Sequence, residues 1–97
     1  MKLLNTKTKN ILPKLFEQCY KGLNAIVYVK FFTPDSNWTW YVIEFDGKDI
    51  FYGLVDGLFK EIGFFFLSEL RNVRGPLGLK IERDMYFIPT TLKELVK

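Results

Sequence analysis

Two turn signals, Pro34-Asp35-Ser36-Asn37 and Asp46-Gly47-Lys48-Asp49, constrain this chain more than any other feature. Proline presets φ for the first corner, and Asp, Ser and Asn side chains bond the local backbone of a turn. The second signal is close to the Asp-Gly hairpin signature. The stretches they separate, Ala25–Thr33, Trp38–Asp46 and Ile50–Asp56, alternate with period two and are rich in β-branched and aromatic residues. Connections this short join antiparallel neighbours, so the pattern predicts a three-strand antiparallel meander. Within the second strand, alternation puts Trp38, Trp40, Val42, Glu44 and Asp46 on one face and Thr39, Tyr41, Ile43 and Phe45 on the other. The second set is expected to face the core. The first would then be partly exposed, aromatic at one end and acidic at the other.

Around the meander the pattern is helical or irregular. Residues 6–20 read as one helix or two short ones, with Thr6 or Thr8 as N-cap and Ile11, Leu12, Leu15, Phe16 and Cys19 toward the core. Pro13 requires either a break or a helix whose first turn holds it, and Gly22 ends the segment as a left-handed cap. Phe64-Phe65-Phe66-Leu67 fits a fourth, well-buried strand, and Ser68 caps a helical turn through Arg71. Gly and Pro make Arg74–Leu79 a loop. Lys80–Ile88 is expected to form a last strand with Ile81, Arg83, Met85 and Phe87 on one side, before a short helix capped by Thr90 or Thr91 and ending at Lys97. The expected fold class is α+β: an antiparallel meander sheet of four to five strands, an N-terminal helix packed on one face, and short C-terminal helical turns. At 97 residues this is one domain, long enough to fold without staples.

The missing residues narrow the chemistry. There is no histidine, the commonest proton shuttle near neutral pH. Cys19 is the only cysteine, so neither an intrachain disulfide nor a Cys-rich zinc site can form, and a reducing, cytoplasmic setting is expected. The basic start is not followed by an apolar run of signal-peptide type, and no stretch approaches the roughly 20 apolar residues of a membrane span. Charge is segregated. Lys2, Lys7, Lys9, Lys14, Lys21 and Lys30 stand against Glu17 alone, whereas the middle of the chain holds Asp35, Glu44, Asp46, Asp49, Asp56, Glu61 and Glu69 together with most of the aromatics. Single-strand platforms interleave aromatics with Lys and Arg, so this distribution weakens a nucleic-acid reading based on net charge alone.

Several stretches carry a resemblance. Phe31-Phe32-Thr33-Pro34-Asp35-Ser36-Asn37-Trp38-Thr39-Trp40-Tyr41 and Glu44-Phe45-Asp46-Gly47 are similar to an uncharacterised bacterial family. So are Phe65-Phe66-Leu67-Ser68-Glu69-Leu70, Val73-Arg74-Gly75-Pro76-Leu77-Gly78 and Ile81-Glu82-Arg83-Asp84-Met85-Tyr86-Phe87. The family is catalogued as domain of unknown function 2958, and the resemblance spans nearly the whole chain. It implies no reaction, because the family has none assigned. It does imply a setting on plasmids, conjugative elements and phages, where small proteins act on host defence, replication or transfer machinery.

Two functional readings follow, neither of them enzymatic. The first is an interaction protein that binds a host or element protein through Trp38, Trp40, Glu44, Asp46 and the neighbouring Arg74, for instance to inhibit a restriction or CRISPR system. Trp is enriched in binding hot spots, although the two tryptophans would equally cover a second apolar layer beneath the Arg74–Leu79 loop. The alternative is a nucleic-acid-binding module using the N-terminal lysines and Lys30 with Arg71, Arg74 and Arg83. Arg74 can clamp an anion or bond its own loop's carbonyls. Glu82 and Asp84 read as ion-pair or turn support, and Cys19 as a small buried hydrophobe. No metal or cofactor is expected. A homodimer through a sheet edge is open.

Overall fold

The computed structural model describes residues 2–97. Its strands are β1 (Ile26–Val27), β2 (Val29–Phe32), β3 (Thr39–Phe45), β4 (Ile50–Asp56), β5 (Lys60–Phe66), β6 (Glu82–Arg83) and β7 (Thr90–Thr91). Three short helices, α1 (Thr6–Ile11), α2 (Leu67–Asn72) and α3 (Leu92–Leu95), and a 3-10 segment Cys19–Asn24 complete it. Five strands form an antiparallel sheet in the order β5-β4-β3-β2-β6, while β1 pairs with β7 in a separate ribbon. The α+β meander therefore forms as the turn signals require.

Both faces of the sheet are buried, where simple alternation leads one to expect a single core face. Val29, Phe31, Trp40, Val42, Phe45, Phe51 and Phe65 form one apolar layer, roofed by Leu3, Leu4 and Leu12 from the N-terminal segment, by Leu67 and Leu70 of α2, and by Ile81. Phe51 sits at its centre, with ring centroids 4.7 Å from Phe45, 5.3 Å from Phe65 and 5.6 Å from Phe31. On the other face Ile43 and Leu54 pack with Ala25, Val27 and Leu92.

Along β3 the expected alternation is also broken by a β-bulge. Val42 pairs with Gly53 but Glu44 pairs with Tyr52, so Ile43 is an extra residue on β3. Ahead of the bulge Trp40 and Val42 face the first layer, and behind it Phe45 does. Ile43 and, opposite Tyr52, Glu44 turn to the second layer. Trp40, Val42 and Glu44 are all buried, so the expected exposed face does not exist as a single surface.

Other expectations change for local reasons. α1 is capped by Asn5, whose side chain accepts from the Thr8 amide in a reciprocal capping box, rather than by Thr6 or Thr8. The helix stops at Ile11 because Leu12, preceding Pro13, is extended. Residues 13–18 are then irregular, with Phe16 at φ 72°, and Gly22 follows at φ 54°. Leu12 is buried as expected, but Ile11, Phe16 and Cys19 are exposed. β5 is a sheet edge, so Phe65 is buried while Phe64 and Phe66 are exposed. Leu67 and Ser68 donate their amides to Asp49, which caps α2 in place of Ser68. The last strand shrinks to Glu82–Arg83, because Asp84 accepts from the Tyr86 amide and starts a turn that leaves Met85 exposed. The C-terminal helix begins after Thr91 and ends at Leu95, short of Lys97.

Gly53 lies opposite Val42 beside the bulge, where an added Cβ would overlap the Tyr41 carbonyl. Its partner on the edge, Gly63, faces open space. Gly53→Ala is expected to destabilise the fold by about 1–3 kcal/mol in urea denaturation through overpacking, while Gly63→Ala leaves the midpoint nearly unchanged.

Candidate functional site

The residues expected to form one partner-binding face are dispersed. Trp38 is 40% exposed and Asp46 is exposed, but they stand at opposite ends of β3. Strand rise separates them by roughly 25 Å. Glu44 is buried and acts as a fastener, its carboxylate accepting from the Phe16 amide at 2.8 Å and the Gln18 amide at 2.7 Å. Gln18, also buried, donates to the Ile26 and Ile43 carbonyls and accepts from the Ile26 amide. Phe45 donates to the Pro13 carbonyl at 2.9 Å. The irregular segment 13–18 is thereby fastened to the bulge.

Asp46 builds its own turn. Its Oδ1 accepts from the amides of Lys48, Asp49 and Ile50. Although burial alone would raise its pKa, these three amides and the Lys48 charge together hold the carboxyl below its ordinary value. The stabilisation is complete above the unfolded value near 4 and is lost as pH falls through the depressed folded value.

Three of the expected nucleic-acid residues are engaged within the fold. Lys30 Nζ lies 3.7 Å from Asp84 Oδ2 and 6.0 Å from the centroid of the Tyr41 ring. Arg74 donates to the Arg71 and Val73 carbonyls, and Arg83 to those of Lys2 and Leu3. Arg83 thus ties the N-terminal segment to β6. That tie helps to shape a feature the sequence does not disclose as a unit.

Between the N-terminal segment, the β3–β4 turn, α2 and residues 80–81 lies an open cleft of about 730 Å³. Its rim carries five cations, Lys2, Lys9, Lys48, Arg71 and Lys80, and its floor is apolar, with Leu4, Phe45 and Leu70. Among the described residues no carboxylate lines it and none of the five cations is salt-bridged. Sequence reasoning points to Arg71 and the N-terminal lysines but misses Lys48 and Lys80. Lys48 is one of only two cations, with Lys60, inside the acidic middle of the chain, and only the β4–β5 hairpin, by returning the chain to Asp49, carries α2 beside it.

A second cavity, about 490 Å³, adjoins the same loop. Trp38, Trp40, Val73, Arg74 and Pro76 line it, with the Thr33 and Ser36 hydroxyls at its edge. The indoles stack at 6.0 Å with 29° between planes, and Trp38 also lies against Gly57. The far wall is held by Asp35, which accepts from the Leu77 amide at 2.7 Å and leaves no space for a Cβ on Gly75. Trp40 is therefore a core residue beneath the Arg74–Leu79 loop, while Trp38 keeps an accessible surface.

The anchoring carboxylates can be tested directly. Glu44→Ala orphans the buried Gln18 amide and the part-buried Phe16 amide and is expected to lower stability by about 1–3 kcal/mol in urea unfolding, with Glu44→Gln intermediate. On acid titration the amide NMR shifts of Lys48, Asp49 and Ile50 should move together with a midpoint below about 3.9, the ordinary Asp value.

Among the described residues no group of three or more His, Cys, Asp or Glu side chains is placed to hold a metal ion, and no helix is long and apolar enough to cross a membrane. No curated protein and no solved structure matches the chain. A family model described as "Protein of unknown function (DUF2958)" matches residues 3–95. The match takes in the N-terminal segment, the whole sheet and nearly all of both cavities, and the chain belongs to the DUF2958 family.

Proposed function

We propose that the protein is a cytoplasmic binding protein whose ligand is a phosphate-bearing polyanion, with nucleic acid as the class, held in the basic cleft. The observation that carries this reading is the five-cation rim with no lining carboxylate. Like charges brought together by a fold repel one another, and a phosphate backbone relieves that repulsion while releasing its own counterions. A concave shape and an apolar floor add contact for sugar or base edges. The protein-partner reading now rests on Trp38 and Arg74, which line one groove, without Asp46 at the far end of β3 or the buried Glu44, and is second to this one. The mobile-element setting belongs to the proposal as well. There a small nucleic-acid binder would act on the element's own transfer or replication intermediates, or shield them from a restriction or CRISPR system.

Salt dependence tests it. Fluorescence anisotropy with a labelled oligonucleotide should show affinity falling with added salt, with a log–log slope of up to about −3.5 for a single strand if all five cations meet phosphates. The double variant Lys48→Ala/Lys80→Ala should bind more weakly and lose about 1.4 of that slope, with its melting temperature close to wild type. Absence of binding at low salt, or a slope that ignores the double variant, overturns the proposal.

A further inference from the structure

We infer that the nucleic acid is single-stranded, with one base stacked on Trp38 and the adjoining backbone in the cleft; this rests on the reading of the cleft just given. The two cavities share one wall. The chain from Leu70 to Ile81 contributes Leu70, Arg71, Lys80 and Ile81 to the basic cleft and Val73 to Pro76 to the tryptophan groove. The wall is closed on itself by the Arg74–Lys80 bridge and by the Gly75 amide, which donates to the Leu79 carbonyl at 3.0 Å. Arg71, Arg74 and Lys80 therefore form a cationic ridge between a trough of positive charge and an exposed indole.

Aromatic faces interleaved with cations are what single-strand binding needs, because stacking accepts any base and the charges follow the backbone. The sequence separates the two, since its aromatics travel with carboxylates. The fold rejoins them at this wall. Trp38 is held for the role by its neighbours: it stacks on buried Trp40 and rests on Gly57, where a Cβ would collide with the indole, and it keeps 40% of its surface exposed. Little side-chain freedom remains to be lost on stacking. A duplex keeps its bases paired and offers no free face to the groove.

The test compares three probes by anisotropy: an oligothymidylate of about 12 nucleotides, within the range of single-strand sites, a duplex of the same length, and inorganic polyphosphate as competitor. Wild type should prefer the single strand, and the single strand should quench intrinsic tryptophan fluorescence while polyphosphate does not. Trp38→Leu should weaken single-strand binding by about five- to 150-fold, the equivalent of one base stack, leave polyphosphate competition unchanged, and be largely rescued by Trp38→Phe. The quenching arm uses wild type, so the inference stays testable if the leucine variant does not fold. Equal or tighter binding of the duplex, no quenching, or a Trp38→Leu variant that binds like wild type overturns this inference while the cleft reading stands. Loss of all binding, or binding indifferent to Lys48→Ala/Lys80→Ala, overturns the cleft reading itself.

Discussion

The arrangement depends on one buried carboxylate. Glu44 sits just after the extra residue on β3, and its two oxygens accept from the amides of Phe16 and Gln18. Residues 13–18 have no regular structure to satisfy their own backbone, and buried amides without partners are costly. Glu44 supplies an acceptor for the buried amide of Gln18 and the part-buried one of Phe16, and buried Gln18 extends the tie to β1. With this segment pinned at its far end and Arg83 holding Lys2 and Leu3 at the other, Leu3, Leu4 and Leu12 are laid over the Phe51-centred layer. Lys2 and Lys9 are thereby brought to the rim of the cleft. The polar anchor and the basic site are consequences of the same path.

The acidic middle of the sequence weighs against a nucleic-acid role, and the structure changes that weight. Asp35 accepts from the Leu77 amide, Glu44 from two amides of the N-terminal segment, Asp46 from three of its own turn, and Asp49 from the amide and hydroxyl of Ser68 at the start of α2. These carboxylates serve as caps and fasteners for loops, and Glu44 is withdrawn from the surface altogether. Their charges persist in the far field. Near the cleft, however, what matters is what lines it, and there the lining charges are all positive.

What can be read from the sequence, and what cannot, divides along the range of the interaction. The turns at 34–37 and 46–49 are local signals, and β2, β3 and β4 follow from them. Pro13 announces a break, and Leu12 shows it. The bulge at Ile43 has no local signal: Trp40-Tyr41-Val42-Ile43-Glu44-Phe45 alternates acceptably in either register. One extra residue flips everything beyond it to the other face, so strict alternation places Glu44 on a surface it does not share. Similarly, Phe64-Phe65-Phe66 looks uniformly buried until β5 proves to be an edge.

The site is the least legible part, because it is built by convergence. Lys2 and Lys9 precede the sheet, Lys48 sits in a hairpin, Arg71 ends a helix turn, and Lys80 closes a loop. No spacing rule relates them. Their meeting requires the β4–β5 hairpin to return the chain to Asp49, so that α2 starts beside the β3–β4 turn. It also requires the chain after α2 to double back through Gly75 and Gly78, the latter at φ 81°, to reach β6. The Asp35 carboxylate, packed where any side chain on Gly75 would lie, sets how close that doubled-back chain stands to the tryptophan pair. A glycine and an aspartate 40 residues apart in sequence thus fix the width of the Trp38 groove. Neither residue would be picked out as functional by its own chemistry.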